Sequence, residues 1–384
     1  MDFALTQEQE QLKTSTRRLL ESVCTKEWLD GVEAREEYPF DLHRRMAEAG
    51  LFGIAVPESH GGSGGGMVEL ALVCEEIGRI GGSVVMTYAP TAVFGNQVLV
   101  DSGSAEQRAR YLPKTTAGRL RIAFALTEPE AGSDVGAVRT RARPDAGGFV
   151  LRGTKIFSSG AAVADHLLVT ARTGGGEGGH RGLTVFLVDT SSPGLTTTAI
   201  PTLGHHAVQT CQVALDDVRV PAEAVVGQVD AGWDVLMRVL DAERICTAGF
   251  CVGLAQRCVD MALAYGLERH QFGRPVATFQ AIAHMLAEME TETAAARWLT
   301  FDSAWRKDQG RPCSKAASMA KAYAAECAAR SATRGMQILG GYGYTKAFEM
   351  ERFYREAKLY EVAGGSTQIQ RNIIAREMGI PRLS

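Results

Sequence analysis

The order of sequence patterns along the chain most strongly limits its fold. Apolar residues recur at spacings of three and four up to about Gly118, and this helical period disappears between Arg121 and about Val226. The period returns after Asp230 and persists almost to the end. In the middle stretch charge is sparse, and strand-length runs rich in Gly, Thr and Val are separated by Gly, Pro or Asp. The sequence therefore predicts a helical, a β and a second helical segment.

These segments predict three domains in an α+β, mainly α, protein of 384 residues. They are an N-terminal helical domain (1–120), a middle β domain (121–229) and a C-terminal helical bundle (230–384). The predicted strands are 122–126, 149–158, 166–172, 183–188, 195–200 and 212–220, and the predicted bundle helices are 233–270, 278–308, 313–339 and 368–378. An apolar fraction of 45% is sufficient for a substantial core.

Charge and composition argue against several classes of function. A net charge of -3 without a dense basic block argues against nucleic-acid or anionic membrane partners. Because no run of about eighteen apolar residues occurs and the first residues are not basic, we expect a cytoplasmic protein without a membrane segment. The eight cysteines form no C-x-x-C pair and no zinc-type cluster with histidine, so reduced, buried thiols and no metal site are expected.

The run 233–270 contains the most informative candidate residue. This run has no proline and an apolar face, which predicts one long helix. Leu240 and Cys246 lie three positions either side of Glu243, so its carboxylate lies on or beside the buried face. Burial would raise the pKa of Glu243 toward that of a general base. Taken alone, a Glu-Arg pair on a long helix is more often a solvated edge.

Three loops have a distinctive composition. The turn that starts at Thr127 offers hydroxyls and backbone N–H groups that can hold a polar ring edge or a pyrophosphate, although alone it could be an ordinary connection. The glycine run 61–66 lacks the Lys-Ser/Thr of a P-loop, which favours a flexible loop. The Gly-rich segment 173–179 is predicted to be a mobile surface loop.

Five motifs, in order, resemble those of the acyl-CoA dehydrogenase family. They are Thr127-Glu128-Pro129 with Ala131-Gly132-Ser133-Asp134, Lys155-Ile156-Phe157-Ser158-Ser159-Gly160, Asp217-Val218-Arg219-Val220-Pro221, Arg269-His270-Gln271-Phe272-Gly273 with Phe279-Gln280-Ala281, and Gln337-Ile338-Leu339-Gly340-Gly341-Tyr342-Gly343. The resemblance covers nearly the whole chain. It implies the family's fold, with a helical N-terminal domain, a β-barrel-like middle domain and a C-terminal four-helix bundle.

The resemblance implies FAD as cofactor and assigns candidate contacts to it. Positions matching the flavin ring and nearby contacts are Phe124, Leu126, Thr127, Gly132, Ser133, Phe157 and Ser159. Positions matching the adenine and pyrophosphate half are Arg269, Gln271, Phe272, Gln280, Gln337 and Gly341, and further flavin contacts are Ser366 and Gln368. A flat aromatic side chain suits a ring, and an arginine suits a diphosphate. Part of the adenine site is shared between subunits in the family, which implies a homo-oligomer, typically a tetramer.

The catalytic base is where the chain departs from many relatives. They carry a glutamate in a Tyr-Glu-Gly-Thr motif where this chain has Gly364. A branch that includes isovaleryl-CoA dehydrogenase places the glutamate before the arginine of the long helix, which Glu243-Arg244 matches. Glu243 is therefore the predicted base. The predicted substrate-side residues are Asp241, Arg244, Gly364 and Gly365. Glu361 is a rival base for which a structural or solvated role is favoured.

The resemblance implies α,β-dehydrogenation of an acyl-CoA to trans-2-enoyl-CoA. Glu243 would take the α-proton and flavin N5 the β-hydride. Reoxidation by an electron-transferring flavoprotein is implied by the family.

Three alternatives remain open. The family commonly has Arg-x-Ser-Asp-Thr where this chain has His206-Ala207-Val208-Gln209-Thr210. The loss of that Arg and Asp leaves open an acyl or aminoacyl thioester on a carrier protein instead of CoA, although His205 and His206 could be ordinary loop residues. The fold also serves O2-using flavin oxidases and monooxygenases. A paralogue that binds FAD without catalysis is the third possibility, since Gly364 removes the commonest base.

Overall fold

The computed structural model describes residues 4–174 and 179–381. It divides into two compact units. The first unit consists of Met1–Asp30, Gly66–Val85 and Glu243–Ser384, and the second of Gly31–Gly65 and Met86–Ala242. The three domain boundaries suggested by the sequence remain a prediction. Of the Gly-rich segment expected to be a mobile loop, residues 175–178 lie outside the described residues.

The N-terminal part of the chain is helical, as predicted. Its α-helices are α1 Gln7–Val23, α2 Lys26–Arg35, α3 Phe40–Glu48, α4 Met67–Ile80, α5 Gly82–Ala89, α6 Asn96–Ser102 and α7 Ala105–Thr116. Thr6 begins α1 with a capping box, because its side chain accepts from the backbone N–H of Gln9 while the Gln9 side chain accepts from that of Thr6. A π-helical turn, Pro90–Gly95, connects α5 to α6.

The middle of the chain forms one eight-stranded sheet within the second unit. Its strands are β1 Ile122–Ala125, β2 Arg141–Asp145, β3 Gly148–Ser159, β4 His166–Arg172, β5 Leu183–Asp189, β6 Leu195–Ile200, β7 Thr210–Pro221 and β8 Val225–Val226. The order is β6-β7-β3-β2-β4-β5-β8, and β1 pairs with β4 in parallel. The six predicted strands are confirmed, whereas β2 was not predicted because its sequence is polar and contains Pro144.

The register between β3 and β7 is irregular at a position that matters for the site. The two strands are antiparallel, and the pairing shifts between Lys155 and Ser158. A bulge of this kind re-aims the side chains of the residues within it. Phe157 lies in this bulge.

The C-terminal part contains the long helices that the sequence predicts. They are α8 Gly232–Glu268, α9 Gln280–Asp308, α10 Ser314–Leu339, α11 Met350–Val362 and α12 Thr367–Glu377, and a short ribbon of β9 His270–Gln271 and β10 Arg274–Pro275 follows α8. Helix α11 was not among the predicted helices. The expected fold class, with helical ends and a central sheet, is confirmed.

Close backbone packing fixes α8 against α4 within the first unit. A Cβ at Gly253 would lie 1.9 Å from the carbonyl oxygen of Glu75, so only glycine allows this approach. The core around this helix is rich in small residues, including Ala248, Ala255, Ala320, Ala324 and Ala328. The result is a tightly packed bundle in which α8 holds Glu243 in a fixed position.

All eight cysteines are buried and none forms a disulfide. Among the described residues, no helix is both long enough and apolar enough to cross a membrane. No group of His, Cys, Asp and Glu in the described ranges could hold a metal ion.

Candidate active site

Helix α8 places Glu243 on its buried face, as the sequence predicts. The residue is 4% exposed. Burial raises the pKa of Glu243 above its ordinary value, because the charged form loses its water, while Lys321, Thr247 and Arg244 act in the opposite direction. A carboxylate in this environment can exchange a proton at a higher pH than a surface glutamate.

The two carboxylate oxygens of Glu243 have different environments. Thr247, one helical turn further along α8, donates its hydroxyl to Oε1 at 2.9 Å. Oε2 is buried and has no hydrogen-bond partner in the described part of the chain. Burying such an oxygen without a donor is costly. The geometry therefore leaves one oxygen of a fixed carboxylate available to a ligand.

A turn of two glycines lies directly against this carboxylate. Gly364 and Gly365 connect α11 to α12, with φ of +62° and +76°. A Cβ at Gly364 would lie 2.3 Å from Oε1 of Glu243. Position 364 can therefore carry no side chain while Glu243 has this conformation. The two positions that the sequence relates as alternative places for the base are adjacent in space.

Two buried side chains that the sequence reasoning missed hold the glycine turn. The Lys321 ammonium donates to the carbonyl oxygens of Ala363 at 2.8 Å and Gly365 at 2.7 Å. Gln370 Nε2 donates to the carbonyls of Gly364 and Gly365, both at 3.0 Å. A lysine on the otherwise small, apolar face of α10 was the available signal for Lys321.

Two other predicted substrate-side residues, Asp241 and Arg244, lie close to Glu243 in the sequence. The rival base Glu361 lies three residues before Gly364. Arg244 is buried on α8 and Asp241 is half-buried on the same helix. Glu361, near the end of α11, forms an ion pair with Lys358. Glu361 thus already has a structural partner, in keeping with the role expected for it.

In the second unit, a buried ion pair shapes the loop that the sequence assigns to the flavin. Lys155 on β3 donates to Glu128 at 2.8 Å and to the carbonyl of Leu126 at 3.0 Å. The Glu128 carboxylate also accepts from the backbone N–H groups of Arg139 and Thr140. Burial lowers the pKa of Lys155 to about 8, against the opposing effect of Glu128. These bonds join the loop to β3 and to the backbone at Arg139 and Thr140.

The aromatic residue assigned to the flavin ring is presented to solvent. Phe157 is 61% exposed and has φ of +58°, a conformation that side chains rarely adopt. Strain of this kind concentrates at functional sites. Two positions later, the Ser159 hydroxyl is 2.9 Å from that of Thr210 on β7. The bulge in β3 thus exposes a flat ring beside a fixed hydroxyl.

The remaining flavin candidates of this unit surround the same loop. Gly132 and Ser133 are exposed, whereas Leu126 and Thr127 are half-buried. The backbone N–H of Ile156 donates to the carbonyl of Thr127 at 2.8 Å, which joins the loop to β3. Phe124 on β1 is half-buried and stacks on Phe94 with ring centres 5.0 Å apart.

A cavity of about 520 Å³ in the first unit collects part of the adenine-side set. Arg269, Gln271 and Gly341 line it, together with Tyr342, over whose ring the Arg269 guanidinium lies at 5.8 Å. The predicted residues Phe272, Gln280 and Gln337 are exposed and are not among its lining residues. Phe272 is 93% exposed.

The last two flavin candidates begin helix α12. The Ser366 hydroxyl accepts from the backbone N–H of Ile369 at 3.3 Å and so caps the helix. Gln368 is exposed. The role expected for Ser366 must therefore be compatible with this capping bond.

The residues present fit FAD on structural grounds. An exposed phenylalanine beside a fixed hydroxyl suits a flavin ring, and the cavity beside Arg269 offers a cation and an aromatic ring to a nucleotide. At Gly341 a Cβ would meet no atom within 4 Å, which leaves open space beside the cavity.

The segment that departs from the family pattern is held within the second unit. The backbone N–H of His206 donates to Glu33 at 2.8 Å, and its Nε2 lies 3.0 Å from the carbonyl of Thr202. The acidic partner of His206 comes from a part of the chain that is distant in sequence. Sequence reasoning, which found no acidic neighbour, could not have identified it.

Three family models match the chain in succession. They are the N-terminal domain of acyl-CoA dehydrogenase over residues 6–119, the middle domain over 123–218 and the C-terminal domain over 230–379.

Known proteins match the chain along nearly its whole length. "Probable acyl-CoA dehydrogenase YngJ" of Bacillus subtilis (strain 168) is 38% identical over 382 residues, which is 98% of this chain and 100% of that protein. "Caffeyl-CoA reductase-Etf complex subunit CarC" of Acetobacterium woodii is 37% identical, covering 95% of this chain and 96% of that protein. The solved structure "FAD complex of PigA" superimposes with a TM-score of 0.94 at 26% identity, covering 99% and 100% of the two chains.

Proposed function

Because this chain belongs to the acyl-CoA dehydrogenase family of FAD-dependent oxidoreductases, we propose that it catalyses α,β-dehydrogenation of an acyl-CoA with Glu243 as the base. The observation that supports this assignment is the buried carboxylate of Glu243, with one oxygen held by Thr247 and the other without a partner among the described residues. The glycine at position 364, against which Glu243 packs, supports it further.

The chain's own residues would act first on the α-proton of the thioester. Oε2 of Glu243 accepts that proton, and Thr247 keeps the carboxylate in orientation by binding Oε1. Because burial raises the pKa of Glu243, this pKa lies closer to neutral pH than the ordinary value of a glutamate does. The α-carbon retains the electron pair of its C–H bond, which becomes the new double bond as the β-hydrogen leaves with its own electron pair. Bound FAD supplies the acceptor for this hydride.

FAD would be held by two sets of residues. Phe157 would cover the ring, Ser159 would offer a hydroxyl to its polar edge, and the loop at Leu126, Thr127 and Ser133 would offer further polar groups. Arg269 would bind the diphosphate. The further proposed contacts are Phe124, Gly132, Gln271, Phe272, Gln280, Gln337, Gly341, Ser366 and Gln368.

We further propose an electron-transferring flavoprotein as the electron acceptor and a homotetramer as the assembly. The relative CarC is named as a subunit of an Etf complex, which supports the first proposal. The adenine-side residues Arg269 and Phe272 are exposed in the single chain, which supports completion of that site by a second subunit.

A thioester on a carrier protein is the second candidate substrate. The observation that favours it is the departure at 206–210, where His206 stands in the place of the family's arginine and is bound to Glu33. The reaction and the base would be the same in both cases. Only the group beyond the thioester would differ.

Anaerobic titration of the FAD-loaded protein with short, branched and long acyl-CoAs tests the proposed function. We expect one class to bleach the flavin absorption and to yield a product two hydrogens lighter than the substrate. Failure of every CoA ester, followed by bleaching with acyl groups on a carrier protein, would replace CoA by the second candidate. Failure of both kinds of thioester would contradict dehydrogenation altogether.

A further inference from the structure

Lys321 is a buried cation that the proposed mechanism has not yet used. It lies on the face of α10 that is otherwise formed by small residues such as Ala317, Ala320 and Ala324, and its exposed fraction is 0%. Burying an ammonium group is costly unless hydrogen bonds and opposite charge compensate it. Within the described ranges, no carboxylate lies within 4.0 Å of its nitrogen, and its hydrogen-bond partners are backbone carbonyls. The position of this charge therefore needs another explanation.

The two carbonyls that Lys321 binds lie on either side of Gly364. They belong to Ala363 and Gly365, at 2.8 and 2.7 Å. Gly364 in turn lies so close to Glu243 that a Cβ would be 2.3 Å from Oε1. One ammonium group thus fixes the backbone turn that packs against Glu243.

Lys321 also acts on Glu243 through its charge. Burial has the largest effect on the pKa of Glu243 and raises it. The charge of Lys321 has the next largest effect and lowers that pKa. Glu243 likewise raises the pKa of Lys321, which burial lowers. Each group therefore stabilises the charged form of the other.

We propose that Lys321 is a positioning residue for proton abstraction, which holds the Gly364–Gly365 turn against Glu243 and acts on the carboxylate of Glu243 through its positive charge. This inference rests on the proposed role of Glu243 as base. It explains why a full charge is buried beside a glycine turn, where a neutral donor would satisfy the same carbonyls.

Other charged and titratable groups act on this pair. Arg244, beside Glu243 on α8, lowers the pKa of Glu243. Glu361 on α11 and the buried thiol of Cys251 raise the pKa of Lys321, while Arg244 lowers it. When the charge of Lys321 is removed, Arg244 and the hydroxyl of Thr247 are the groups in the described part of the chain that still oppose the effect of burial on Glu243. The pKa of Glu243 must then rise, and a smaller fraction of the base is ionised at neutral pH.

The test measures proton removal without flavin reduction. The FAD-loaded protein is mixed in D2O with an acyl-CoA whose β-carbon is replaced by sulfur, so that the α-proton can exchange but no hydride can leave. Exchange is followed by proton NMR as a function of pH. In wild type the exchange rate should rise with pH to a plateau. The pH at which the rate reaches half of its plateau value, the half-maximal point, should be higher in Lys321→Gln by about one pH unit or more.

Three variants keep the result interpretable. Lys315→Gln removes an exposed lysine from the same helix and should leave the half-maximal point where wild type has it. Lys321→Arg keeps the charge, so its half-maximal point should stay close to that of wild type even if its rate is lower. Glu243→Gln should lose the exchange. The content of FAD and the melting temperature are measured for each variant.

Different outcomes overturn different claims. If Glu243→Gln loses the exchange but Lys321→Gln keeps the wild-type half-maximal point, the role of Lys321 is wrong and that of Glu243 stands. If Glu243→Gln exchanges as fast as wild type, the proposed base is wrong. Should Lys321→Gln fail to fold, the folded Lys321→Arg variant decides. This variant keeps the positive charge, so a half-maximal point displaced by about one pH unit would show that the charge at position 321 does not set the half-maximal point.

Discussion

At the scale of single residues, the structure places Glu243 and Gly364, the two positions that the resemblance relates as alternative places for the base, next to each other. The carboxylate of Glu243 occupies the space where a side chain at position 364 would begin, 2.3 Å from Oε1. The two positions therefore cannot both carry a side chain in this arrangement.

Gly364→Ala should lower the rate of flavin bleaching by substrate about 100-fold, because displacing a base by about 1 Å has an effect of that size. Both the clash and the φ of +62° oppose the added methyl group, so the free energy of unfolding should fall by at least about 1 kcal/mol. Stopped-flow bleaching and urea unfolding measure the two effects.

Gly310→Ala is the matched control for this prediction. Gly310 has the same φ of +62°, but a Cβ there would meet no atom within 4 Å. Backbone strain at this φ should lower the free energy of unfolding of Gly310→Ala, as it does in Gly364→Ala. The rate of flavin bleaching should stay at the wild-type value. Equal rates in Gly364→Ala and wild type would mean that contact with Glu243 does not position the base.

At the scale of elements, strand β3 both supports and shapes the proposed flavin loop. Its Lys155 side chain is buried against Glu128 and the Leu126 carbonyl, and its bulge turns Phe157 outward. Lys155 and Phe157 are two residues apart and would share a face of a regular strand, so the bulge between Lys155 and Ser158 is what separates the buried lysine from the exposed ring. The ion pair of Lys155 and Glu128 is therefore expected to contribute to FAD binding as well as to folding.

Lys155→Met should lower the free energy of unfolding by about 3 kcal/mol or more, because it leaves the buried Glu128 carboxylate without its cation. The purified variant should also contain less FAD than wild type. The double variant Glu128→Gln, Lys155→Met removes both charges and should recover part of the lost stability. Urea unfolding and flavin absorption measure these effects, and a double variant no more stable than Lys155→Met would contradict a charge-based cause.

Periodicity in the sequence predicted most elements but not those whose signal is weak. The long helix α8 was expected at 233–270 and is found at Gly232–Glu268, because its apolar stripe extends without a proline. Helix α11 was missed although Met350, Phe353, Ala357 and Tyr360 recur at helical spacing, since charged residues dominate the run between them. For Lys321 the sequence offers a lysine on a small, apolar helix face as the signal, but it does not show the backbone carbonyls that bind this lysine.

At the scale of the whole molecule, family membership is confirmed along the chain, while the roles of individual residues remain predictions. Three consecutive family models and a relative matched over 98% of the chain support the three-part fold and FAD. Five ordered motifs were sufficient to predict this family from the sequence. The acyl group is not specified by them, because relatives of similar identity carry names with different substrates.

The measurement that tests the central claim most directly is the single-turnover rate of flavin bleaching in Glu243→Gln. Glutamine keeps the size of the side chain but cannot accept the α-proton, so the rate should fall by at least about 100-fold while FAD remains bound. Glu361→Gln, which removes the carboxylate of the rival base, should bleach at nearly the wild-type rate. A Glu243→Gln variant as fast as wild type, or a loss of bleaching confined to Glu361→Gln, would contradict the assignment of Glu243 as the base.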